Sequence, residues 1–160
     1  MISVMLAVAA VYGTDPSPAG AVAVRELLEV SAAFCAASYR EDDSFDPDAL
    51  LKPRGFALPG TRKSWQGASG EVIDLGWNRP DGSLTVAVRV VAGRIVNCTV
   101  ASPLKVWNQM EPAMPAYVRA TRLPLKQDAQ LKYVWRGGGM KASARAGMGG
   151  TVVAIEPDSK

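Results

Sequence analysis

Two cysteines, a run of carboxylates and no histidine are what any chemistry in this 160-residue chain has to be built from. Histidine is the usual general base near neutral pH and the commonest metal ligand. Its absence removes serine–histidine and cysteine–histidine nucleophile pairs, zincin-type metal helices and the facial triad for iron. Two cysteines alone cannot assemble a zinc or iron–sulfur centre. No cofactor is implied, and no residue set is assigned a catalytic or metal-binding role.

The segment Glu41-Asp42-Asp43-Ser44-Phe45-Asp46-Pro47-Asp48 is dense in carboxylates. It lacks the alternating ligands, turn glycine and distal glutamate of a calcium-binding EF-hand loop. Asp46 before Pro47 reads instead as the cap and first position of a short helix through Ala49-Leu50-Leu51. A carboxylate-dependent hydrolase or transferase would draw on Asp42, Asp43 or Asp46, and would need two carboxylates converging in one cleft. Ser102-Pro103-Leu104-Lys105 has the Ser-x-x-Lys spacing of serine acyl-transferases, without the companion elements of those enzymes. Ser102 is expected to cap a helix that Pro103 opens. Gly137-Gly138-Gly139 lacks the Gly-Lys-Ser/Thr end of a phosphate loop and is expected to be a hairpin turn. Asn97-Cys98-Thr99 fits the glycosylation pattern but falls in the middle of an expected strand.

Cys35 and Cys98 are read as one disulfide. An even count of two allows a single connectivity, and such a bond persists in oxidising compartments. Residues Met1 to Gly13, MISVMLAVAAVYG, form an uncharged apolar run. It is shorter than the ~20 residues a membrane-crossing helix needs. It resembles the apolar region of an export signal, with small residues at Ala7-x-Ala9 or Val8-x-Ala10, although no cation precedes it. The expected organisation is a signal-like segment at 1–10, a linker at 11–18 and a single α+β domain at 19–160. The expected compartment is periplasmic or extracellular, with no transmembrane span in the mature chain.

Ala19 to Tyr39 carries apolar residues at helical spacing, Val24, Leu27, Leu28, Phe34 and Cys35 among them. From Ser69 the period becomes two, and Glu71–Trp77, Ser83–Val91 and Arg94–Ala101 read as a three-strand meander. In the third, Val96, Cys98 and Val100 share the more apolar face, so Cys98 should point inward. A second helical segment follows Ser102, interrupted by Pro112 and Pro115. Leu131–Arg136, Lys141–Ala146 and Thr151–Glu156 then read as three more strands. The fold class predicted is α+β, an antiparallel sheet of about five or six strands with two main helical segments in the order α-β3-α-β3, packed as two layers.

The net charge is +3, with no basic run of the kind that tracks a phosphate backbone, so nucleic acid is not an expected partner. Trp77, Trp107 and Trp135 lie on apolar stripes and are expected in the core. Trp65 lies in the polar stretch Thr61-Arg62-Lys63-Ser64-Trp65-Gln66-Gly67. With Arg62 and Lys63 beside it, it is the expected contact point for a partner, either a protein or a small ligand. The functional expectation is therefore a small exported, non-catalytic binding or interaction protein. The alternatives are the carboxylate enzyme above or a dimerising structural subunit of an envelope assembly.

Overall fold

The computed structural model describes residues 17–40, 45–147 and 149–159. The apolar segment at 1–10, and Asp42 and Asp43, lie outside these residues.

Ser17 opens the first helix, accepting the Gly20 amide at 3.2 Å, with Pro18 in the first turn. Helix α1 (Pro18–Val30) runs without a break into a wider π-type turn at Ser31–Cys35 and ends in the short α2 (Ala36–Ser38). Ala23, Leu27, Val30, Phe34 and Cys35 are all buried. Asp46 then caps α3 (Pro47–Leu51), accepting from the amides of Asp48 and Ala49.

The strands are β1 (Thr61–Gly67), β2 (Gly70–Asn78), β3 (Thr85–Val91), β4 (Arg94–Ser102), β5 (Lys126–Gln127), β6 (Val134–Gly137), β7 (Met140–Gly147) and β8 (Gly150–Pro157). They form one antiparallel sheet in the order β1-β2-β3-β4-β8-β7-β6-β5. Two four-strand meanders are thus joined edge to edge at β4 and β8, in a register that sets Cys98 beside Ile155 and Ser102 beside Thr151. Turn chemistry pins the meanders. Ala92-Gly93, both at positive φ, closes β3 onto β4, and Gly138-Gly139, also at positive φ, closes β6 onto β7.

The expected five- or six-strand α+β arrangement with two main helical segments is corrected by this sheet of eight strands, which dominates the chain. Two causes are physical. Thr61–Gly67 has no apolar alternation because neither of its faces is buried, so it reads as a loop although it pairs with β2 along its whole length. The expected second helix is broken by its prolines into two 3₁₀ turns, Trp107–Gln109 and Glu111–Ala113, before α4 (Met114–Thr121) forms. Ser102 is the last residue of β4, and its hydroxyl caps only a turn, accepting the Leu104 amide at 3.2 Å.

Period-two alternation turns Val86, Val88, Cys98, Val100, Val153 and Ile155 to one face of the sheet, where all are buried beneath α1 and the π-type turn. Cys35 and Cys98 are bonded there, with Cα atoms 5.5 Å apart and both side chains fully buried. The bond closes a 63-residue separation, worth ~4 kcal/mol by chain-entropy reasoning. No helix among the described residues is long and apolar enough to cross a membrane. The double variant Cys35→Ala/Cys98→Ala is expected to lose about 4 kcal/mol of unfolding free energy in denaturant titration. Reductant should lower the stability of the wild type and leave the variant unchanged.

Candidate functional site

Strand β1 ends the sheet on one side, and its other edge pairs with no described strand. Which of its main-chain groups point outward follows from the ladder. The Ala92 amide donates to the Glu71 carbonyl at 2.9 Å, so the main-chain groups of Glu71 face β3 and away from β1. Gln66, its partner on β1, must then turn its own N–H and C=O away from β2. By the same alternation, Ser64 and Arg62 do likewise. The free edge therefore presents three residues' worth of unpaired donors and acceptors.

Alternation also sorts the three residues singled out above. Lys63 and Trp65 share the face of the sheet opposite α1, whereas Arg62 lies on the other face. Trp65 is 45% exposed, in contrast to Trp77 at 4%. It lies within a strand, not a loop. The Arg89 guanidinium sits 5.7 Å from its ring centre, which holds the indole near the free face. Trp77 packs edge-on against Phe34 at 5.4 Å and donates its indole N–H to Asp48. Trp107 packs against Tyr133, and Trp135 is buried.

The free face is crossed by a row of polar side chains in register: Lys63, Asp74, Arg89, Asn97, Glu156 and Lys141. Most of it is internally satisfied. Arg89 grips Asp74 through two hydrogen bonds of 2.7 and 2.8 Å, and Glu156 accepts from Asn97 and from Lys141. The Arg89 guanidinium beside Asp74 holds its carboxyl below the usual carboxylate range. At the edge the contacts loosen: Lys63 stands opposite Asp74 and adds to the lowering of its carboxyl without closing an ion pair. Arg62 and Lys63 make no ion pair among the described residues, and β1 carries no carboxylate.

The carboxylate candidates are not brought together. Asp46 has its Oδ1 committed to two helix-start amides, and Asp42 and Asp43 fall outside the described residues. Lys105 is not among the hydrogen-bond partners of Ser102. Gly137-Gly138-Gly139 lies at the β6–β7 hairpin. Among the described residues no three histidine, cysteine or acidic side chains are grouped to hold a metal. Sequence reasoning missed Arg89 and Asp74, although the period of two in β2 and β3 already places both on the Lys63 face. Comparison with known protein families, characterised proteins and solved structures finds no match to this chain.

Because Trp65 stands at a solvated edge, Trp65→Ala is expected to change unfolding free energy by less than about 0.5 kcal/mol. Trp77→Ala, which empties a buried site against Phe34, is expected to cost about 3–5 kcal/mol. Denaturant titration of the two variants side by side checks the contrast.

Proposed function

We propose that this chain is an exported, non-catalytic interaction protein that captures an extended segment of a partner along β1. The observation that carries the reading is the open edge itself. Seven residues long, preceded by Gly60 and ending on Gly67, it displays outward-facing main-chain groups, with an exposed indole on the same strand. Adding a strand to such an edge draws affinity from main-chain hydrogen bonds and specificity from alternate side chains. With Arg62 and Lys63 held in no close ion pair among the described residues and no acid on β1, the complementary segment is one bearing carboxylates. The same two cations disfavour pairing with a basic strand. The paired cysteines and the apolar run at 1–13 support export to an oxidising compartment, periplasmic or extracellular.

A photo-crosslinking side chain at Ser64, introduced in the cells that make the protein, is the direct test. It should trap a discrete partner that the same probe at Ala87, mid-sheet on the free face, does not trap. The double variant Arg62→Glu/Lys63→Glu should abolish the product. Equal labelling from both positions, or labelling insensitive to the charge reversal, would remove β1 from consideration. Recovery of the chain from the cytoplasm with reduced cysteines would refute export.

A second reading, a dimer through the same strand, is favoured by self-complementarity. Pairing two copies about Ser64 sets Lys63 opposite Trp65 of the other copy and Arg62 opposite Gln66, so no like charges stand directly opposed. Crosslinking to a second copy, with a solution mass twice that of the chain, would identify this case.

A further inference from the structure

Away from β1, two neighbouring concavities share part of one wall. The first is an open groove of about 370 Å³ between α1 and α4, floored and walled by Ala21, Val24, Leu28, Ala116, Tyr117 and Ala120. The α1 residues recur at intervals of three or four, and those of α4 at intervals of one or three, so each set forms a stripe facing the other helix. The helices are tied by a buried hydrogen bond of 3.0 Å between the Ser31 and Tyr117 hydroxyls. Alanines on both banks leave the space beside that tie unfilled, and Ala21, Ala116 and Ala120 stay exposed. From Ala21 to Ala32 the groove runs for about 16 Å at 1.5 Å per residue.

The second concavity, about 390 Å³, is lined by Arg40, Arg54 and Arg122, and it shares Glu29, Ala32 and Ala120 with the groove. The three arginines each follow the end of a different helical segment. Arg40 donates one N–H to the Thr121 carbonyl at 2.7 Å, and Arg54 donates one to the Leu50 carbonyl at 2.5 Å. Those bonds fix the guanidinium planes while leaving most of their five donors uncommitted. Arg122, at φ 55 as the C-cap of α4, makes no ion pair among the described residues, and neither do the other two. Among the described residues of the lining, Glu29 supplies the single carboxylate. Among the described residues, three guanidinium charges against one carboxylate leave a surplus of two positive charges at one end of the trough, whose own lining also carries Arg25.

We infer that the α1/α4 groove and the Arg40–Arg54–Arg122 cluster form one binding site for a single-chain anionic amphiphile. Its carboxylate or phosphate head sits among the arginines, and its hydrocarbon chain lies along the alanine stripe. Planar guanidinium forks match the geometry of both heads, and charge-assisted hydrogen bonds to them are the strong kind. The chain displaces water from exposed apolar surface. A free anion would use only the arginine end, and a neutral lipid only the groove. This site is separate from β1 and does not depend on the strand-capture reading.

Isothermal titration separates these cases with four probes: dodecanoate, dodecyl phosphate, inorganic phosphate and dodecyl maltoside, each below its micelle-forming concentration. The two anionic amphiphiles are expected to bind one per chain, at least about tenfold more tightly than inorganic phosphate or the neutral maltoside. Arg122→Gln should weaken both by about tenfold, the scale of one charge-assisted hydrogen bond. Ala116→Leu, at an exposed helix position that lines the groove and not the arginine concavity, should block the chain and leave phosphate binding unchanged. Phosphate binding as tightly as dodecyl phosphate would overturn the inference in favour of a plain anion site. Maltoside binding as tightly would reduce it to an apolar groove. Absence of saturable binding by any probe would overturn it altogether.

Discussion

The bond between Cys35 and Cys98 fastens the first helical segment to the strand on which the whole sheet is hinged. Cys98 lies on β4, at the seam where the two meanders meet, and its cross-strand neighbour on β8 is Ile155. Each meander alone is a four-strand sheet with one apolar face, and the first helical segment lies across both at the seam. Leu27, Phe34 and Cys35 from the helical side meet Val86, Val100 and Val153 from the strands in one buried cluster. A cross-link worth ~4 kcal/mol is a large share of the 5–15 kcal/mol that typically separates folded from unfolded domains. Smaller ties close the same seam. The Thr151 hydroxyl donates to the Leu104 carbonyl and accepts the Val106 amide, anchoring the chain as it leaves β4 for α4.

Closing the centre this tightly leaves the periphery to meet other molecules. On one flank β1 ends the sheet with the outward main-chain groups of Arg62, Ser64 and Gln66 unpaired and its indole exposed. On the opposite flank β5 has only two residues, too short to template a partner, and Arg136 beside it is engaged by Asp128 and Asp158. The two ends of the sheet are therefore unlike each other: one is shortened and salt-bridged, the other long and open. Over the helices, the tie from Ser31 to Tyr117 and the bond from Arg40 to the Thr121 carbonyl hold α4 against α1 without filling the space between them.

The centre of this fold was legible because burial writes a period into the sequence. Val96, Cys98 and Val100 alternate with Ile95, Asn97 and Thr99, which was enough to turn Cys98 inward and set it against the helix stripe of Cys35. The hairpin turns were legible from their glycines. The edges were not, since a strand exposed on both faces carries no apolar period, and β1 is a strand only because β2 supplies its hydrogen bonds. For the same reason Arg62, Lys63 and Trp65 looked like one cluster in a loop, whereas the pleat puts Arg62 on the opposite face from the other two. The arginine cluster was invisible for a different reason. Arg40 and Arg122 are 82 positions apart, 122 − 40, and meet only after α4 packs on α1.

Native-state amide exchange of the isolated chain, with and without reductant, tests the division between a locked seam and an open edge most directly. In the oxidised chain the amides of β4 and β8 are expected to exchange slowest, at the rate set by global unfolding, and to speed up together on reduction. The outward amides of Arg62, Ser64 and Gln66 are expected to exchange fast in both states. Slow exchange at those three positions would mean that the edge is already covered. Seam protection that ignores reduction would mean that the disulfide is not what holds the two meanders under their helix.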